Sequence, residues 1–66
     1  MQVKLNGEPA ELPDGYSIKE LVLTRELSPD VVIIELNGEI INRGKWDIVK
    51  LRQGDILEMI RIITGG

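Results

Sequence analysis

The last three residues, Thr64, Gly65 and Gly66, are the part of this sequence whose residue types best fit a chemical role. They follow directly on an apolar run. Two consecutive glycines let a backbone enter a narrow site and adopt torsion angles that other residues rarely reach. The reactive group would be the carboxylate of Gly66, carried on a short flexible tail over residues 64–66. A frayed chain end of small residues is also common, so the tail alone does not decide between these two interpretations.

The side chains that most often catalyse reactions are missing or scattered. The sequence has no histidine and no cysteine, which removes the commonest general base, the commonest thiol nucleophile and the usual zinc ligands. Ser17 and Ser28 stand at predicted helix boundaries, where a hydroxyl typically caps the backbone. The carboxylates lack the spacing of a metal-binding loop, so we expect solvated surface charge from them. They are Glu8, Glu11, Asp14, Glu35, Glu39, Asp47, Asp55 and Glu58. We therefore predict that the chain is not an enzyme and binds no metal or cofactor of its own.

Length and charge narrow the class of protein further. The 66 residues make one domain, 1–66, which is too small to enclose a deep substrate cleft. Eight basic and 11 acidic side chains give a formal charge of −3, which disfavours nucleic acid as a partner. No apolar run is long enough for a signal peptide or a membrane span, and without cysteine nothing indicates an oxidising compartment. We predict a cytoplasmic protein whose partners are other proteins.

The first part of the chain has the pattern of a β-hairpin followed by a helix. Gln2 to Leu5 alternates polar and apolar residues, as a half-buried strand does, and Asn6-Gly7 is a strong signal for a two-residue turn. The returning strand is predicted from Glu8 to about Leu12, and its proline indicates an edge position or a bulge. Ser17 with Glu20 fits a capping box at the start of a helix, which we expect to end near Leu27. Its apolar face consists of Ile18, Leu21 and Val22.

The second part of the chain predicts three more strands. Val31 to Leu36 is rich in β-branched residues and predicts a well-buried strand, which Asn37-Gly38 ends with another tight turn. Glu39 to Ile41 predicts a short returning strand, and one helical turn is expected around Gly44 to Asp47. The final strand is predicted from Ile56 to Ile63. Its apolar residues on both faces favour a central position in the sheet.

This order of elements predicts an α+β fold. Two strands separated by a helix have few permitted arrangements, and the simplest places the first and last strands side by side in the centre. The helix then lies across one face. This arrangement is the β-grasp (ubiquitin-like) roll, with a mixed sheet of about four to five strands and one main helix.

Segments spread over the whole chain together match one known family. They are Asn6-Gly7-Glu8, Ser17-Ile18-Lys19-Glu20-Leu21, Glu35-Leu36-Asn37-Gly38-Glu39-Ile40-Ile41, Arg43-Gly44-Lys45-Trp46, Leu51-Arg52-Gln53-Gly54-Asp55-Ile56-Leu57-Glu58 and Gly65-Gly66. At these spacings the sequence resembles the ThiS family, the sulfur carrier proteins of thiamine (thiazole) biosynthesis. It departs from the family at Asn42, where many members carry proline, which implies a looser backbone. It also departs at Arg25, where a small hydrophobic residue is usual in the helix.

The resemblance implies a cycle of reactions at Gly66. An ATP-dependent, ubiquitin-activating-like enzyme (ThiF type) adenylates its carboxylate. Sulfur from a cysteine desulfurase or persulfide then converts the acyl-adenylate to a thiocarboxylate, which donates sulfur to a thiazole synthase (ThiG type). ATP and Mg²⁺ belong to the activating partner, and Gly65 and Thr64 form the tail that enters the partner's active site.

Three alternatives stay open. The first is a sulfur carrier of the molybdopterin synthase type, and the second is a ubiquitin-like modifier that is joined to protein lysines. The third is a non-conjugating β-grasp protein-binding module, which would tolerate the loss of Gly65 and Gly66. The first would form a free thiocarboxylate, the second a protein conjugate and the third neither.

Four further residues are assigned expected roles. Trp46 is expected to pack over the edge of the core with its N–H bonded to a backbone carbonyl, and Arg43 to hold the adjoining loop. Partner contacts are expected on the sheet face away from the helix and near the tail. Met59 and Arg61 of the last strand are the candidates, and the sequence does not assign which face each takes.

Overall fold

The structure is a computed structural model that describes residues 1–25 and 32–62. Its elements are β1 (Gln2–Leu5), β2 (Glu8–Glu11), α1 (Ile18–Thr24), β3 (Val32–Leu36), β4 (Glu39–Ile41), a 3₁₀ helix (Arg43–Lys45) and β5 (Ile56–Arg61). Val31 and Ile63, the predicted outer ends of two strands, lie outside the described residues. So do Leu27 and Ser28. Within the described residues, no helix has the length and apolar character that a membrane span needs.

The described strands form one mixed sheet in the order β2-β1-β5-β3-β4. β1 pairs with β2 in antiparallel orientation and with β5 in parallel orientation. β3 pairs antiparallel with both β4 and β5. The predicted β-grasp fold is therefore confirmed, with the first and last strands side by side. The edge position predicted for the strand that contains Pro9 is confirmed too.

Two Asn-Gly turns hold β5 along its two edges. Asn6 and Asn37 have φ angles of 50° and 51°, in the left-handed region that asparagine and glycine tolerate. The Oδ1 atom of Asn6 accepts a hydrogen bond from the Met59 N–H at 2.7 Å, on the side of β1. On the side of β3, Asn37 Oδ1 accepts from the Ile56 N–H at 2.9 Å. The side chain of each asparagine thus adds a hydrogen bond to β5 just after the strand that pairs with β5 has ended.

The predicted capping box starts α1. The Glu20 N–H donates to Ser17 Oγ at 3.1 Å, and the Ser17 N–H donates to a carboxylate oxygen of Glu20 at 3.3 Å. These bonds satisfy backbone N–H groups that have no partner inside the first turn of a helix. The hydroxyl of Ser17 is buried in this role.

The helix ends at Thr24, short of the predicted end near Leu27. Its apolar face, which consists of Ile18, Leu21 and Val22, is fully buried. The next position of that face is Arg25, which is exposed and serves as the C-cap, with its N–H donating to the Leu21 carbonyl at 3.2 Å. The helix therefore ends where its buried face ends.

The apolar core lies between α1 and one face of the sheet. Its members are Val3, Ile18, Leu21, Val22, Val32, Ile34, Trp46, Leu51 and Leu57. The prediction that β3 is well buried is confirmed, because none of its residues is exposed. β5 is buried on this face alone. Ile33 is half-buried, and Ile56 and Ile60 are 51% and 47% exposed. The central position of β5 is confirmed, but one of its faces is uncovered.

The one-sided burial of β5 predicts different costs for truncating adjacent residues. Leu57→Ala should lower the free energy of unfolding by about 2–5 kcal/mol, because Leu57 is fully buried and the change leaves a cavity. Ile56→Ala, on the uncovered face, should cost about 1 kcal/mol or less. Urea unfolding of the two variants measures both values. Equal losses would contradict burial of a single face.

The Asn6 side chain predicts a local weakening when it is removed. Asn6→Gly keeps the φ angle accessible but removes the bond to Met59, so the free energy of unfolding should fall by about 0.5–1.5 kcal/mol. Amide hydrogen exchange at Met59 should become faster. The matched control is Asn42→Gly, which removes the hydrogen bond that the Gly44 N–H donates to Asn42 Oδ1 in the segment after β4. If exchange at Met59 changed equally in both variants, the side chain of Asn6 would not protect this amide.

Candidate functional site

The predicted site residues Thr64, Gly65 and Gly66 lie outside the described residues, so the structure describes the strand that leads to them. β5 ends at Arg61, and Ile62 is the last described residue. This strand pairs with β1 and β3 and contributes Leu57 to the core. The base of the predicted tail is therefore the central strand of the sheet.

The side chains of β5 alternate between the two faces of the sheet. Leu57 is fully buried and Met59 packs against the core, whereas Ile56 and Ile60 are exposed. Arg61 follows Met59 by two residues and shares its side of the sheet. Neither of the two predicted contact residues, Met59 and Arg61, therefore lies on the face away from the helix.

The uncovered side of the sheet, which we refer to as the open face, combines isoleucines with two carboxylates. Ile33 lies opposite Ile60, and Glu35 lies opposite Glu58 and beside Ile40. Ile40 is 70% exposed. On β3, β4 and β5 the open face presents Ile33, Glu35, Ile40, Ile56, Glu58 and Ile60. Such a cluster of exposed large hydrophobic residues is typical of an interaction surface.

Glu35 and Glu58 lie directly opposite each other on adjacent strands. Like charges in this position destabilise a strand pair. Within the described part of the chain, neither carboxylate forms a salt bridge. Lys4 is on the same face, where it lies beside Ile56, and its ammonium group makes no salt bridge to Glu58. The sequence predicted solvated surface charge at both positions and did not predict that they lie opposite each other.

Other carboxylates have structural roles or remain scattered. Asp55 accepts hydrogen bonds from the Arg52 N–H at 2.8 Å and from Asn37 Nδ2 at 3.1 Å, which closes the turn before β5. Glu11 and Asp14 lie 3.8 Å and 3.1 Å from the amino group of Met1. Among residues 1–25 and 32–62, no group of three potential ligands is placed to hold a metal ion.

A cavity of about 290 Å³ lies between α1 and the 3₁₀ helix. It is lined by Lys19, Val22, Leu23, Arg43, Gly44, Trp46 and Asp47. No hydroxyl, thiol or imidazole group lines it, so the lining residues include no pair of the usual nucleophile and base.

The segment around Trp46 is built as predicted. Trp46 is 3% exposed, and its Nε1–H donates to the carbonyl of Ile41 at 3.0 Å. Asn42 has a φ angle of −58°, which a proline would also adopt, and its Oδ1 accepts from the Gly44 N–H at 2.8 Å. The expected loosening at Asn42 is thus offset by a side-chain hydrogen bond. The role of Arg43 in the loop stays a prediction.

The matches to known proteins extend over almost the whole chain. The ThiS family model matches residues 3–66. The sulfur carrier protein ThiS of Bacillus subtilis is 31% identical over 65 residues, which cover 97% of this chain and 98% of that protein. A thiazole synthase of Magnetococcus marinus is 32% identical over 66 residues. This second match covers 100% of this chain but 20% of the length of that protein.

Solved structures share the fold. The crystal structure of the thiamine biosynthesis protein ThiS from Geobacter metallireducens has a TM-score of 0.85 and 28% identity, with both chains covered completely. A ubiquitin-like protein of the archaeon Caldiarchaeum subterraneum has a TM-score of 0.56 and 17% identity over 98% of this chain and 100% of its own. This second likeness shows the fold alone. Family model, curated relative and structure agree, and the chain belongs to the ThiS family.

Proposed function

We propose that this chain is the sulfur carrier for thiazole formation in thiamine biosynthesis and that the carboxylate of Gly66 carries the sulfur. The observation that carries this proposal is the family match, which runs to residue 66 and so includes Gly65 and Gly66. The Bacillus subtilis sulfur carrier aligns along 98% of its own length, so the likeness extends over a whole carrier protein.

The proposed chemistry begins with activation, because a free carboxylate is a poor electrophile. Attack of the Gly66 carboxylate on ATP forms an acyl-adenylate and releases pyrophosphate. Sulfur from a cysteine-derived persulfide then displaces AMP at the carbonyl carbon. The product is an acyl disulfide with the donor cysteine. A thiol then attacks the sulfur of that cysteine, so that a new disulfide forms there and the thiocarboxylate leaves, a soft nucleophile that passes its sulfur to the thiazole precursor.

The fold suits a carrier whose reactive group lies at the end of a strand. β5 is held by strands on both sides and by the side chains of Asn6 and Asn37. A firmly held strand gives the following residues a fixed origin, so that Thr64, Gly65 and Gly66 can extend into a partner's active site. We infer that the chain is a co-substrate and not a catalyst, and that ATP and Mg²⁺ bind to the partner.

We propose two enzymes as partners and a persulfide as sulfur source. The thiazole synthase of Magnetococcus marinus carries a region similar to this chain within one polypeptide, which supports a thiazole synthase (ThiG type) as the enzyme that receives the sulfur. A ubiquitin-activating-like enzyme (ThiF type) would adenylate Gly66, and a cysteine desulfurase would supply the persulfide.

The proposed function predicts a defined change in mass. After incubation with a ThiF-type enzyme, ATP, Mg²⁺, cysteine and a cysteine desulfurase, intact-protein mass spectrometry should show the exchange of one oxygen for sulfur. A chain that lacks Gly66 should show no change, because its carboxylate ends one residue short of the position at which activation occurs. The fold of this truncated control can be verified by its unfolding transition.

Other products would favour the alternatives. Conjugates with protein lysines would indicate a ubiquitin-like modifier, and sulfur transfer to a molybdopterin precursor instead of the thiazole precursor would indicate the molybdopterin synthase branch. The absence of any ATP-dependent adduct would contradict a carrier role and leave a binding module.

A further inference from the structure

We propose that the cavity between α1 and the 3₁₀ helix is a second binding site, which accepts a small organic anion. The ligand would carry a phosphate or carboxylate group on one apolar ring. The cavity is lined by residues of α1 and of the segment after β4 and by none of the tail residues. The proposal therefore goes beyond the proposed function, and either of the two can fail without the other.

The cavity joins two segments that the chemistry of the tail does not use. Lys19 comes from residues 17–21 and Trp46 from residues 43–46, which are two of the segments that carry the family resemblance. Neither segment takes part in the proposed reaction at Gly66. Core packing accounts for the buried Trp46, but it does not account for the exposed Lys19 and Arg43, which line the same cavity.

Hydrogen bonds hold the two walls of the cavity together. The Lys19 N–H of α1 donates to the Trp46 carbonyl at 3.1 Å, and Trp46 Nε1–H donates to the Ile41 carbonyl at 3.0 Å. The Trp46 N–H also donates to the Arg43 carbonyl at 3.2 Å, at the end of the 3₁₀ helix. The cavity is thus formed before any ligand enters it, which lowers the entropic cost of binding.

The apolar lining favours a ring as the body of the ligand. Val22 is fully buried and Trp46 is 3% exposed, whereas Leu23 is 56% exposed and offers an apolar side chain that a ligand would cover. An indole next to aliphatic side chains packs well against a flat apolar group. The volume of about 290 Å³ lies at the lower end of the range for ligand pockets, about 300–1,000 Å³, so the ligand should be small.

The charged lining favours an anion. Two basic side chains, Lys19 and Arg43, and one acidic side chain, Asp47, give the lining a formal charge of +1, although the whole chain carries −3. In the described part of the chain Lys19 forms no salt bridge, and its ammonium group has three donors for a phosphate or carboxylate. A single cation beside apolar side chains is typical of pockets in which a few polar groups orient the ligand.

The test is a titration of the full-length chain with phenyl phosphate and, separately, with benzoate, followed by nitrogen–proton correlation NMR. The amide signals of Lys19 and Leu23 and the indole signal of Trp46, the single tryptophan, should shift and saturate. Inorganic phosphate lacks the ring and benzyl alcohol lacks the charge. Each should bind about 5-fold more weakly than phenyl phosphate, because it makes only one of the two kinds of contact.

Two variants remove the two kinds of contact from the protein. Lys19→Glu should raise the dissociation constant of phenyl phosphate about 5- to 20-fold, because it reverses the charge. Leu23→Ala should raise it about 2- to 5-fold through lost apolar contact. The matched controls are Lys45→Glu and Ile48→Ala, which alter exposed residues outside the lining and should change it less than about 2-fold. Thermal unfolding of each variant verifies that it folds.

Each outcome supports or overturns the site. Saturable shifts that are weakened in Lys19→Glu and kept in Lys45→Glu would support it. Binding of neither anion, or an equal loss in both variants, would overturn it. If the thiazole synthase or the adenylating enzyme shifted these signals and the small anions did not, the cavity would belong to a protein interface and the proposal would be wrong. The gain of sulfur at Gly66 is measured separately by mass, so it tests the proposed function alone.

Discussion

Backbone pairing of β5 with β1 on one side and β3 on the other is the interaction on which the rest of the structure depends. It places Leu57 over the buried face of α1 and leaves Glu58 and Ile60 on the opposite side. It also fixes the strand that leads toward residue 66. The position of Leu57 in the core, the composition of the open face and the position of the strand that leads toward residue 66 therefore all depend on this pairing. A change that disturbs β5 affects all three.

Local signals in the sequence predicted most of the elements. The capping box of Ser17 and Glu20 and the turns at Asn6 and Asn37 depend on residues close in sequence, so their structures follow from local geometry. Trp46 was also placed well, because a buried indole N–H requires an acceptor. The end of α1 was missed, because the end depends on which residue last reaches the core, and Arg25 cannot be buried there.

The faces of the sheet could not be predicted in the same way. Apart from Glu58 and Arg61, the sequence of β5 is apolar on both faces, and the number of layers that cover it is a property of the whole chain. For the same reason the faces of Met59 and Arg61 were left open, and the pairing of Glu35 with Glu58 was not predicted. That pairing depends on the register between two strands far apart in sequence. The site at Gly66 came from resemblance, since its residue types alone also fit a frayed end.

The parallel pairing of the first strand with the last has a consequence for how the protein is made. The hydrogen bond between Asn6 and Met59 joins residues 53 positions apart. The chain must therefore lose conformational entropy in closing this long loop before the pairing of β1 with β5 stabilises it. Contacts of this range slow folding. During translation, β1 cannot pair with β5 until β5 has left the ribosome. An incomplete chain then exposes the apolar residues of β3, and exposed apolar surface of this kind favours aggregation.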